Sequence, residues 1–180
     1  MKVVAIVQAR LSSSRLPGKM LMPIFDQDTL VVRVLKQVSK SKMVDQVVLA
    51  TSDDLSDYKL YEEVISKGYK AYKGSLNDVL KRFYEVAESY NAEIIIRITG
   101  DCPCITGDWL DLHLENFIKL NKEEGLQYLG YPENLPDGLD LEIFSFNALK
   151  QANAEASLAS EREHVTPYIW KHPEIFKQKK

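Results

Sequence analysis

Arg10, Arg15 and Lys19 stand in one short polar loop, Gln8-Ala9-Arg10-Leu11-Ser12-Ser13-Ser14-Arg15-Leu16-Pro17-Gly18-Lys19. Cations so placed suit a polyphosphate. Each arginine fork can take two phosphate oxygens, and the lysine acts as a point charge. Ser12, Ser13 and Ser14, with the loop's backbone N–H groups, add neutral donors. The loop follows Val3-Val4-Ala5-Ile6-Val7, a run short and β-branched enough for a buried strand. Such a strand delivers its loop to the carboxyl edge of a sheet, where open α/β folds bind ligands. The Gly-x4-Gly-Lys-Ser/Thr spacing of a Walker loop is absent. The competing reading is a surface loop whose cations are merely solvated.

The acidic candidates lie further on. Asp101 ends an apolar run, Glu93 to Ile98, follows Gly100 and precedes Cys102-Pro103. A carboxylate there suits Mg2+ held against triphosphate oxygens, because Mg2+ takes one or two carboxylates plus phosphates. The alternative is a turn-forming aspartate. Asp137, Asp140 and Glu142 form a second acidic group. Asp140 and Glu142 share a face if 139–144 is a strand, where they bind substrate hydroxyls or metal, or simply meet solvent. Glu161-Arg162-Glu163-His164 opens the last helical stretch, where charges also complement a helix terminus. Cys102 and Cys104 are too close for an ordinary disulfide and read as reduced thiols.

The elements that must carry these residues follow from pattern. A chain of 180 residues is most simply one domain, 1–180, and 45% apolar with 27% charged residues is ordinary globular composition. A net charge of −3 argues against general nucleic-acid binding. No apolar run approaches membrane-spanning length and Met1-Lys2 leads straight into a strand, so the expected location is the cytoplasm. Strands are expected at 3–7, 46–51, 70–72 and 93–98. Helices are expected from Asp28 to Ser39, 57–66 and 76–90. This alternation implies an α/β fold with a mostly parallel sheet covered on both faces. The polar clusters 8–15, 51–54, 73–75 and 99–101 then converge at one edge. Beyond 105 the expectation is a helix capped by Asp108 and running to about Asn121, strands at 126–131 and 139–144 (the latter an edge or mixed-sheet strand), helices at 146–156 and 161–171, and a frayed end at 177–180.

Gln8-Ala9-Arg10-x3-Ser14-Arg15-Leu16-Pro17-Gly18-Lys19 resembles the N-terminal signature of the sugar-activating cytidylyltransferases. Four more stretches match in order: Gly74-Ser75-x2-Asp78-Val79-Leu80, Arg97-Ile98-Thr99-Gly100-Asp101-Cys102-Pro103, Pro136-Asp137-Gly138-Leu139-Asp140-Leu141-Glu142 and Ser160-Glu161-Arg162-Glu163-His164-Val165-Thr166-Pro167. The nearest likeness is to the spore coat polysaccharide branch. The resemblance implies a Rossmann-like three-layer (GT-A-like) nucleotidyltransferase fold that binds CTP and moves CMP to a sugar or sugar acid, releasing pyrophosphate. It assigns the triphosphate to Arg10, Arg15 and Lys19, and the nucleotide pocket also to Gln8, Ala9, Ser14, Ser75, Thr99 and Gly100. Mg2+ goes to Asp101, with Asp140 as a further ligand. The sugar goes to Asp137, Asp140, Glu142, Glu161, Arg162 and His164. The implied partners are CTP and a sugar, with neither nucleic acid nor membrane, and a homodimer is the assembly open to it.

Two departures stand out. Members of the family usually carry glycine near 26–27, where this chain has Asp26-Gln27. They also continue to a Val-Asp-x-Pro-Glu-Asp segment supplying a second metal ligand, whereas this chain ends at Lys180. The expectation divides three ways: a C-terminally truncated chain, a site completed by Asp140, or an impaired, non-catalytic nucleotide-binding domain.

Overall fold

The computed structural model describes residues 1–180 except Ser14, Arg15 and Glu133 and the side chain of Phe25. Its centre is a seven-stranded sheet. The apolar runs form β1 (Val3–Gln8), β4 (Gln46–Ser52), β5 (Lys70–Gly74) and β6 (Ile94–Thr99). Between β1 and β4 lie a two-stranded hairpin, β2 (Pro23–Phe25) with β3 (Asp28–Thr29), and α1 (Leu30–Val38). Helices α2 (Tyr58–Ser66) and α3 (Val79–Ser89) link the next strands, and α4 (Gly107–Glu124) follows β6. The second half adds β7 (Tyr128–Leu129), β8 (Glu142–Ser145), α5 (Phe146–Glu155), α6 (Ala159–His164), α7 (Pro167–Lys171) and β9 (Gln178–Lys179).

The strand order is β5-β4-β1-β6-β8-β7-β9. β1 pairs in parallel with β4 on one side and β6 on the other, and β4 pairs in parallel with β5. Their carboxyl ends therefore share an edge, as the strand–helix alternation requires. β8 runs antiparallel to both β6 and β7, inside the sheet. The alternate residues Ala5, Val7, Leu49, Ile94 and Ile96 pack against α1, α2 and α4 on one face. Val4, Ile6, Val48, Ala50 and Ile95 pack against α3, α5 and the α6–α7 region on the other. Gly107 starts α4 directly against the end of α1: a Cβ there would lie 2.4 Å from the Ser41 amide nitrogen.

Several boundaries differ from expectation, each for a local reason. α1 starts after Asp28, which is drawn into the hairpin and pairs with Lys36 at 2.9 Å. α3 starts at Val79 because Asp78 is its cap, accepting the Lys81 N–H at 2.9 Å. Thr106, rather than Asp108, caps α4 by accepting the Trp109 N–H. The strand expected at 139–144 begins at Glu142. The single helix expected at 161–171 is two helices. Val165 stands between them with φ 73°, and the Thr166 N–H donates to the His164 carbonyl at 2.9 Å across one residue, a γ-turn. The expected frayed end is instead β9, which pairs in parallel with β7, while Phe176 is buried just before it. Asp26 and Gln27 turn the small hairpin with φ 47° and 65°, the left-handed backbone that glycine adopts without strain.

Candidate active site

The loop after β1 is held by its backbone. Gly100 donates its N–H to the Gln8 carbonyl at 2.8 Å, continuing the β1–β6 ladder beyond the strands. A Cβ on Gly100 would stand 2.8 Å from that of Ala9, so glycine is what lets the two strand ends approach. At the loop's neck the Gly18 N–H donates to the Leu11 carbonyl at 3.0 Å, with Gly18 at φ 74°. Leu11 in turn donates its N–H to Asp57 Oδ1 at 2.6 Å, and the Ser52 hydroxyl donates to the other oxygen of that buried carboxylate. The basic loop is thus tethered to the ends of β4 and β6.

Beyond the neck is a cleft of about 240 Å³ lined by Gln8, Ala9, Arg10, Ser12, Ser13, Lys19, Met20, Arg82, Thr99 and Asp101. Lys19 Nζ lies 2.5 Å from Asp101 Oδ2 across it. Burial alone would raise the Asp101 carboxyl, but the Lys19 ammonium and the Thr99 hydroxyl hold it below its ordinary value. Arg10 reaches Glu163 of α6 at 3.9 Å. Ser75 lies beside the cleft; its hydroxyl accepts the Asp78 N–H at 3.0 Å. Ser14 and Arg15, assigned to the nucleotide by resemblance, lie outside the described residues.

The residues assigned to the sugar divide. Asp137 is exposed on the 132–141 loop, and Asp140 Oδ1 accepts the Gly138 N–H at 3.1 Å and the Cys102 thiol at 3.8 Å. Cys102 also contacts the Thr99 hydroxyl at 3.0 Å, so Asp140 stands one residue removed from the cleft wall. Burial pushes the Cys102 thiol up to about 11, and Cys104 is free and exposed. Glu142 is only 5% exposed and faces inward. It pairs with Arg97 and accepts from the Tyr128 hydroxyl and, at 2.7 Å, from the Thr166 hydroxyl. Glu161 is buried and accepts the Leu158 N–H, closing the start of α6. Arg162 forks onto the Asp78 carboxylate at 3.0 and 2.7 Å, tying α6 to α3. His164 is exposed at the end of α6. None of Glu142, Glu161, Arg162 and His164 lines the cleft.

Two residues escaped the sequence reading, one behind the loop and one in the cleft wall. Asp57, read only as the start of a helix, is the anchor of the loop. Arg82 lies in the first turns of α3, in line with Val79, Phe83 and Val86, and a charge on the apolar stripe of a helix was the available signal. Burial pulls its guanidinium down to about 10, although Asp57 opposes that shift.

Among the described residues no three His, Cys, Asp or Glu side chains gather to hold a metal. The cleft therefore fits a cation held by Asp101 together with phosphate oxygens and water, the manner in which Mg2+ is usually held. It does not fit an all-protein cage.

Fold and edge together define an α/β protein of the nucleotidyltransferase class. The family model described as cytidylyltransferase matches residues 4–180. The chain is 36% identical over 179 residues to the spore coat polysaccharide biosynthesis protein SpsF of Bacillus subtilis, covering 97% of this chain and 72% of that protein. It is 37% identical over 177 residues to an uncharacterized protein of Methanocaldococcus jannaschii, with 98% and 70% covered. Among solved structures, a cytidylyltransferase from Leptospira borgpetersenii superposes with a TM-score of 0.91 at 35% identity, covering 99% of this chain and 74% of the other. The chain belongs to the cytidylyltransferase family, and with it to the CTP-dependent nucleotidyltransferases.

Proposed function

We propose that this chain, as one domain acting in the cytoplasm, transfers CMP from CTP to a hydroxyl of a sugar or sugar acid for a surface polysaccharide, releasing pyrophosphate. The observation that carries this reading is the cleft in which Lys19 and Asp101 face each other beside Arg10. Arg10, Arg15 and Lys19 would take up the charge of the triphosphate and of the departing pyrophosphate. Gln8, Ala9, Ser14, Ser75, Thr99 and Gly100 would line the nucleotide, and Asp137 and Asp140 would face the acceptor. Mg2+, held by Asp101 and the phosphates, would supply further charge neutralisation at the α-phosphorus during in-line attack. The polysaccharide context is supported by the name of the Bacillus relative.

The test titrates the protein and its Asp101→Asn variant with CTP, UTP, ATP and GTP, with and without Mg2+, and follows pyrophosphate release with candidate sugars. CTP is expected to bind tightest, and the variant to fold like the parent while losing metal-dependent turnover. Equal affinity for all four nucleotides would remove the cytidine assignment. CTP binding without pyrophosphate release for any sugar would leave a nucleotide-binding domain without transfer. An unchanged response to Mg2+ would make Asp101 structural.

A further inference from the structure

Arg82 is 1% exposed. Room for its stem is provided by Gly74, where a Cβ would stand 3.0 Å from Arg82 Cγ. Its Nη1 donates to the Ser75 carbonyl at 2.8 Å, whereas its Nε is buried and has no partner among the described residues. The carboxylate that attracts it most, Asp57, already has both oxygens engaged, by the Leu11 N–H and the Ser52 hydroxyl. Of the other cations in the cleft, Lys19 is paired with Asp101 and Arg10 reaches Glu163. Arg82 forms no ion pair with any described carboxylate. A desolvated charge without a counter-ion is costly, and buried polar atoms left unpaired mark places where something else belongs.

We infer that Arg82 is a nucleotide-contacting residue whose guanidinium takes an anionic phosphate oxygen of the bound nucleotide. This rests on the CTP-site reading above. An unbalanced positive charge calls for an anion, and in a nucleoside triphosphate at neutral pH only the phosphates are anionic. A planar guanidinium suits them. The base offers no charge. The ligand-free protein thus bears a cost that the nucleotide relieves on arrival.

The test compares Arg82→Met, which keeps the stem, and Arg82→Lys, which keeps the charge, with the parent. It measures CTP affinity across a range of salt and the thermal midpoint. Arg82→Met is expected to bind CTP about 10- to 100-fold more weakly, the worth of a charge-assisted contact. Its salt dependence should be shallower because one charge contact is gone. Its Tm should not fall, and Arg82→Lys should bind with intermediate affinity. Unchanged CTP affinity in Arg82→Met overturns the inference. So does a Tm that falls by several degrees, or a failure to fold, since either makes Arg82 a structural residue. Weaker binding with an unchanged salt dependence places the contact on the base and overturns the phosphate role. A parent that binds no CTP overturns both this inference and the function it rests on. A parent that binds CTP beside an unaffected Arg82→Met overturns this inference alone.

Discussion

Arg82, under the parallel half of the sheet, and Glu142, in its antiparallel half, are both charged and almost fully buried. Glu142 is surrounded by donors on three elements: Arg97 of β6, Tyr128 of β7 and Thr166 beside α7. The same carboxylate pushes the Tyr128 hydroxyl further up after burial has already raised it. Arg82 has one carbonyl and no ion pair with a described carboxylate, although its unpartnered Nε is a feature that Arg97 shares. The difference lies in pairing rather than in burial. In one half buried charge fastens strands to helices; in the other it is left incomplete at the edge where the cleft opens. A polar residue's neighbours, more than its type or depth, separate framework from ligand site.

The comparison is broken most forcefully at Glu142. Glu142→Ala leaves the half-buried Arg97 without its counter-charge and strands two hydroxyls, so unfolding in denaturant should show a loss of about 3–5 kcal/mol. Full stability combined with lost turnover would return Glu142 to the sugar site. On the other side, Lys19→Met should lower CTP affinity by about 1.5–3 kcal/mol while barely changing the folded state. It also has a signature in acid. Asp101 is held below its ordinary value, so the pair's contribution is present above the unfolded carboxylate range and is lost as pH falls through the lower folded value. Without Lys19 that part of the acid sensitivity should disappear from a stability-against-pH curve, and a parallel curve would show that the pair does not matter to folding. The smallest effect is expected outside both halves. Gln27→Gly relieves a left-handed backbone at φ 65° in an exposed turn and should stabilise by about 0.5–1 kcal/mol in the same denaturant assay. A destabilised variant would mean that the turn's backbone is held by something other than its own geometry.

Where an element was made by its own residues, the sequence was enough. The β-branched runs and the 3.6-residue stripes reveal the parallel half and its converging loops without any partner being known. β9 and the β2–β3 hairpin were illegible because two or three residues carry no period, and β9 also depends on pairing with a strand remote in the chain. The cleft was legible in Arg10, Lys19 and Asp101, whose types and positions at strand ends speak for themselves. Glu142 misled because alternation tells which face a side chain takes but not which donors wait there. Arg82 was hidden because an arginine among core positions reads as a boundary residue until its depth is seen.

The γ-turn at Val165 has a consequence for how far the chain can reach. An unbroken helix over 159–171, which local pattern favours, would be a rod of about 20 Å. Its end would project past the sheet, leaving Phe176 outside the interior. One left-handed, β-branched residue folds that rod back on itself, so the chain returns within range of β7 and adds a seventh strand to the sheet. The outer width of the sheet is thus governed by a corner that lies outside its strands and is anchored to β8 through the Thr166 hydroxyl on Glu142.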